Sequence, residues 1–158
     1  MSGFEIKLPS STGTYLLILK LDQESEIRVG KNRIHIFQPG WYLYLGSAFG
    51  PGGLQARLRR HIKRKKNNFW HIDYLRSESD LIEVWFQVPP EPNEHQIAAW
   101  LSSRDRITTP IPGFGSSDCT CESHLFFVEN LDSLRRTRVN FQTGVPGDFP
   151  WCFVESIE

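Results

Sequence analysis

Hydroxyl groups, guanidinium groups and flexible backbone occur together between Trp41 and Ile62, in W-Y-L-Y-L-G-S-A-F-G-P-G-G-L-Q-A-R-L-R-R-H-I. The aromatic, alternating run from Trp41 to Leu45 reads as a strand, which Gly46, Gly50, Pro51, Gly52 and Gly53 interrupt. Leu54, Leu58 and Ile62 then recur every four residues, the spacing of one helix face. Around that stripe, Arg57 and His61 lie immediately beside the apolar residues, with Arg60 and Arg64 further round on the same side. Arg59, Lys63 and Lys66 fall on the other side. Arg57 is therefore the cation expected to be held rigidly next to the strand. Tyrosine hydroxyls beside arginines at a strand-to-helix junction suit the handling of a phosphate group.

A carboxylate for the same chemistry is offered by Glu94. Ile97, Ala98, Trp100 and Leu101 form the apolar face of a helix from Glu94 to Ser103. At about 100° per residue Glu94 projects between Leu101 and Ala98, towards the interior. A carboxylate so placed needs a cation, a donor or a metal ion, or else it stays wet and interacts with the helix dipole. His71 and Asp73, in F-W-H-I-D-Y-L, are polar residues in an aromatic setting and read first as structural hydrogen-bonding groups. Cys119, Cys121 and His124 form C-x-C-x-x-H, three soft ligands to which a zinc would need a fourth from His71, His95, Cys152 or water, and otherwise two packed thiols and a hydrogen-bonded histidine.

These side chains need a scaffold. The 158 residues suit one domain with its own core. A polar lead-in over residues 1–12 precedes an apolar, β-prone run, G-T-Y-L-L-I-L-K-L from Gly13, that suits a strand buried on both faces. Ile27 to Val29 and Arg33 to Phe37 read as a hairpin, and Leu81 to Val88 and Leu125 to Val128 as further strands. Phe69, Ile72 and Leu75 share a helical spacing. Pro89, Pro90 and Pro92 stiffen a linker that ends at Asn93, a good helix N-cap, while Arg104 to Ser117 is loop-like. Arg135, Arg136 and Arg138 make a second basic patch, and the tail with Phe149, Trp151, Phe153 and Val154 is apolar enough to dock on the core. The expected fold is α/β (α+β), with a small, mainly antiparallel sheet flanked by helices.

Net charge is zero, yet residues 1–79 hold 13 Lys and Arg against 6 Asp and Glu, and residues 80–158 hold 5 against 12. The first half is thus at +7 and the second at −7, with seven cations among the thirteen residues from Leu54 to Lys66. No run approaches the roughly eighteen apolar residues of a membrane span, and three cysteines do not make a disulfide framework. A cytoplasmic protein is expected.

G-T-Y at Gly13 to Tyr15, Y-L-G at Tyr44 to Gly46, L-Q-A-R-L-R-R-H from Leu54 to His61, and N-E-H-Q-I-A-A-W from Asn93 to Trp100 resemble the ordered motifs of the GIY-YIG nuclease superfamily. S-D-C-T-C-E-S-H-L-F from Ser117 to Phe126 is similar to its Uri-type branch, found alone or fused to endonuclease III-like proteins. The resemblance implies one nuclease domain over residues 13–158, with a branch-specific extension from about residue 105, that cuts DNA in a setting linked to repair. It assigns Tyr15 and Tyr44 to water activation or orientation, Arg57 to the scissile phosphate, His61 to a place alongside, and Glu94 to one Mg²⁺ or Mn²⁺. Arg60, Lys63 and Arg64 are expected to contact nucleic acid, DNA rather than RNA. The 28 residues between Tyr15 and Tyr44 exceed the usual family spacing and hold the extra hairpin.

The residue chemistry agrees with those roles. Phosphodiester hydrolysis needs a held water and compensation for added negative charge, which a permanently charged arginine and a hard cation on a carboxylate provide. A tyrosine of ordinary pKa is a poor base. The competing expectations are a non-catalytic nucleic-acid-binding module that partners a repair enzyme, and a zinc-stabilised interaction domain built on Cys119, Cys121 and His124.

Overall fold

In a computed structural model, residues 8–31, 33–88, 94–116, 121–144 and 150–155 are described. The chain runs β1 (Gly13–Leu21), β2 (Ser25–Val29), β3 (Arg33–Phe37), β4 (Gly40–Ala48), α1 (Gly53–Ile62), α2 (His71–Glu78), β5 (Asp80–Gln87), α3 (Glu94–Ser102), β6 (Leu125–Val128), α4 (Leu131–Thr143) and β7 (Cys152–Glu155). Five strands form one antiparallel sheet in the order β6-β4-β1-β5-β7, and β2 and β3 form a separate hairpin. This is the mixed, mainly antiparallel architecture expected, with the extra hairpin between the two tyrosine motifs.

The unbroken apolar character of β1 follows from its central place. On one face Tyr15, Leu17 and Leu19 meet Leu54 and Leu58 of α1 and Ile72 and Leu75 of α2. On the other, Leu16 and Ile18 join Ile97, Ala98 and Leu101 of α3 and Leu134 and Phe141 of α4. Helices thus cover both faces, and a strand with no wet side has no need to alternate. Ile27, Val29 and Phe37 fasten the β2–β3 hairpin to the first of these clusters.

Several expectations change. Leu8 is buried, and the carbonyls of Pro9 and Ser11 accept from Gln55 N and Leu54 N at 2.9 Å, so residues 8–12 cap α1 rather than forming a loose lead-in. Phe69 does not belong to the stripe of α2. It precedes the helix and is 78% exposed. The segment from Leu131 to Thr143, read only as a basic patch, is a helix capped by Asn130, whose Oδ1 accepts from Ser133 N at 2.9 Å. Within it Arg138 reaches Glu83 and Glu155 at 3.3 and 3.4 Å, tying α4 to β5 and β7. The tail docks as expected, with Trp151 buried against Phe141. The proline linker from Pro89 and the cap at Asn93 lie outside the described residues.

The C-terminal end of α1 is held by a fully buried arginine. Arg76 donates through Nε to His61 O at 3.0 Å, through Nη2 to Ile62 O at 2.8 Å and through Nη1 to Ser79 O at 2.9 Å. A planar fork serving carbonyls from two segments cannot be copied by an ammonium group. Arg76→Lys should cost about 2–4 kcal/mol in urea unfolding. Arg59→Lys, on the exposed side of α1, should cost less than about 0.5 kcal/mol.

Candidate active site

The register of β1 and β4 sets the two tyrosines. Tyr15 lies opposite Gly46, and Leu17 lies opposite Tyr44, so the tyrosines are diagonal neighbours on one face of the sheet. A methyl group at Gly46 would overlap the ring of Tyr15. The glycine of the Y-L-G run is therefore a seat for the aromatic ring of the next strand.

Behind the tyrosines sits His61, 1% exposed, with its Nε2 2.8 Å from Tyr15 Oη. Its ring packs against Tyr15, Tyr44 and Trp70 at centroid distances of 5.4, 6.2 and 5.8 Å. Burial pushes the His61 pKa down to about 3, so the imidazole is neutral at physiological pH. Burial also raises the pKa of Tyr15 and of Tyr44, with Tyr44 adding to the effect at Tyr15 and Glu94 at both; Arg57 opposes this without prevailing. Both phenols therefore keep their protons, and they can orient a water or a phosphate oxygen but not serve as resting bases. His61 does not line the cleft; its place is behind Tyr15, as a positioning residue.

The arginines of α1 separate into distinct roles. Arg57 and Arg60 lie over the Trp70 ring at 4.6 and 4.2 Å, a cation–π platform. Arg60 then forks onto Asp73, with Nη1–Oδ1 and Nη2–Oδ2 both 2.8 Å. Asp73 is fully buried and also accepts from Phe69 N and Trp70 N at 2.8 and 2.9 Å. Burial alone would raise the Asp73 pKa, but Arg60 and the two amides together hold it below the ordinary value. Asp73 is thus structural, as read, and Arg60 is its counter-ion rather than a free phosphate contact. Arg64 pairs with Asp80 at 3.2 Å and bonds Ser77 O at the same distance. Lys63 is exposed. Among the described residues Arg57 has no carboxylate within ion-pair distance, and it faces the cleft.

Glu94 completes the wall. It begins α3, its side chain is 25% exposed, and its Oε2 is 3.2 Å from Nδ1 of the buried His124. Burial lowers the His124 pKa more than Glu94 raises it. The neutral ring donates through Nδ1 to the carboxylate and fixes its direction. Tyr15, Tyr44, Arg57, Trp70, Glu94 and His124 line a single cleft of about 390 Å³ at the end of the sheet. His71 also faces it, and its Nδ1 accepts from Gly115 N at 3.2 Å, a role more exposed to the cleft than a purely structural one. The contribution of Trp70 was hidden in the sequence by its aromatic neighbours, and that of His124 by its place in C-x-C-x-x-H.

The donor set bears on metal. One carboxylate oxygen donor facing a roomy cleft fits a single hard cation that keeps most of its waters and gains its remaining ligands from a phosphate. Among the described residues no three His, Cys, Asp or Glu side chains gather as a ligand set. Cys121 Sγ instead lies 3.2 Å from His95 Nδ1, and Cys119 lies outside the described residues.

A family model described as "Domain of unknown function DUF123" matches residues 14–145, most of the chain and every element that lines the cleft. The chain belongs to the DUF123 family. No curated protein and no solved structure matches it at a significant level. The family match spans Tyr15 to His124, so the cleft belongs to the family domain and not to an appendage. Among the described residues no helix is long and apolar enough to cross a membrane.

The buried imidazole makes an acid-linked prediction. His61 has a folded pKa of about 3 against an ordinary 6.5, so between those values the unfolded chain binds the extra proton. Its contribution to stability is complete above pH 6.5 and is lost as pH falls towards 3. The slope is at most about 1.4 kcal/mol per pH unit. Denaturant unfolding of wild type and His61→Gln across pH 4–8 should show a smaller acid slope in the variant; equal slopes would contradict the assignment.

Proposed function

We propose that the chain is a divalent-metal-dependent endonuclease of the GIY-YIG type, closest in kind to the Uri branch, that hydrolyses DNA phosphodiesters in a repair-linked role. The observation that carries this reading is the convergence of Tyr15 from β1, Tyr44 from β4, Arg57 from α1 and Glu94 from α3 on one cleft. These four are scattered over eighty residues of sequence, and packing alone does not require an arginine with no acid partner among the described residues to face a carboxylate across an open cleft.

In this reading Arg57 binds the scissile phosphate and offsets the charge that accumulates as water adds, held in place by stacking on Trp70. Tyr15 and Tyr44 remain neutral and hold the attacking water or a non-bridging oxygen by hydrogen bonds. His61 fixes the Tyr15 hydroxyl so that its direction does not have to be set in each turnover. Glu94, steadied by His124, holds the cation. When bound, a divalent ion supplies Lewis-acid stabilisation of charge on the phosphate and the departing oxygen. With one carboxylate among the described residues of the cleft, the ion should bind weakly until nucleic acid is present.

Labelled single-stranded, duplex and branched DNA incubated with Mg²⁺ or Mn²⁺ provides the test. Arg57→Ala and Glu94→Gln should each slow cleavage by about a hundredfold or more, with unfolding midpoints close to wild type. Survival of every substrate with wild-type protein, or normal cutting by both variants, would defeat the reading. Phe69 stands exposed at the cleft mouth, with its ring 6.0 Å from Trp70. An aromatic face there can stack on a base, so Phe69→Ala should weaken single-strand binding by about 1–3 kcal/mol with little change in the rate at saturation, as fluorescence anisotropy and single-turnover assays would read.

A further inference from the structure

The acidic half of the chain, residues 80–158, holds only five basic residues. Three of them, Arg104, Arg106 and Arg136, line a second cleft of about 380 Å³ between the C-terminal end of α3 and α4. This cleft lies at the opposite end of α3 from Glu94, about 13 Å along the helix axis, and shares no lining residue with the first. It goes beyond the chemistry proposed for the tyrosine cleft and does not depend on it.

Its walls are polar by construction. Ser133, Arg136, Thr137 and Asn140 occur at the i, i+3, i+4, i+7 spacing of one face of α4, and all four face the cleft. The adjoining stripe, Leu134 and Phe141, is buried in the core with Ser133 and Thr137 beside it, and the edge contact of Phe141 with Trp100 at 5.0 Å sets α4 against α3. Just past α3, Arg104 lies over the Trp100 ring at 4.5 Å with its Nε directed at Trp100 O. Arg106 is the one non-glycine residue among those described with a left-handed backbone, φ 66°. A long side chain in that conformation is disfavoured and persists where the surroundings impose it. Neither Arg106 nor Arg136 has an ion-pair partner within 4.0 Å among the described residues. Asp105 is the one acid in the lining, and Glu129 lies in an adjoining cleft on the other side of Arg106. Three guanidinium forks with a hydroxyl and an amide suit a multiply charged, several-oxygen anion better than a carboxylate with its two oxygens.

We propose that Arg104, Arg106 and Arg136 form a second site that binds phosphate groups, either of a nucleic-acid backbone or of a free phosphate ester. The test uses the full chain, labelled with nitrogen-15 and titrated at constant ionic strength with pyrophosphate, with a short single-stranded oligonucleotide and with chloride. Pyrophosphate should produce saturable shifts in the backbone amides of Arg106, Thr137 and Asn140. The double variant Arg106→Gln, Arg136→Gln should raise its apparent Kd by about tenfold or more, with an unfolding midpoint close to wild type. Arg57→Ala should leave these shifts unchanged, which separates this site from the first cleft whether or not that cleft cuts DNA. Matching shifts with the oligonucleotide identify the source as backbone phosphate, and shifts with pyrophosphate alone identify a free ester. The proposal fails if neither phosphate compound gives a saturable response, if chloride gives the same one, or if the double variant binds as wild type does.

Discussion

A buried hydrogen bond between Tyr15 Oη and His61 Nε2 joins the central strand to the basic helix. Because both partners are buried, the arrangement is costly to break, and because the imidazole is kept neutral, it does not add a charge to an already basic helix. With Leu54 and Leu58 packed on β1, it holds α1 over the sheet, and with it the point at which Arg57 leaves the helix. Arg76 secures the same end of the helix through its last carbonyls, so α1 is pinned at its C-terminus from two directions.

The basic helix is a graded set of cations rather than a uniform patch. Asp73 takes Arg60 and Asp80 takes Arg64, while Trp70 stacks with both Arg57 and Arg60. These pairings leave Arg57 as the cation with a supported geometry and an unneutralised charge facing the cleft. A cluster that looks redundant in sequence thus resolves into one candidate ligand for phosphate and several groups that hold it there. Binding through such a site combines charge with orientation, which general attraction to a polyanion does not provide.

How much of this was legible depended on the range of the interactions. The Leu54, Leu58 and Ile62 period and the doubly buried run from Gly13 are local patterns, and both gave the right element. The inward aim of Glu94 was also readable from helical angles, but its partner His124 comes from a distant segment and could not be. The same holds for Arg60 and Asp73, whose pairing requires two helices to meet. Phe69 was misassigned because a spacing of three also occurs by chance, and the helix in fact starts at His71 under the cap of Asp73. The helix from Leu131 was missed because Leu134 and Phe141 are a full two turns apart and the residues between them are largely charged or polar. That polarity belongs to a cleft wall, a distinction that sequence periodicity does not draw.

The seat of Tyr15 on Gly46 carries an implication for how such a domain can change over time. While the ring is present, no side chain fits at position 46, so the glycine cannot change before the tyrosine does. A descendant that abandoned the tyrosine would be released from the glycine as well, and the vacancy over β4 would favour a larger residue there. The order of events is constrained, with the tyrosine lost first and the glycine afterwards. A side chain found at this position in a related chain would then record that the cleft had already given up its original arrangement.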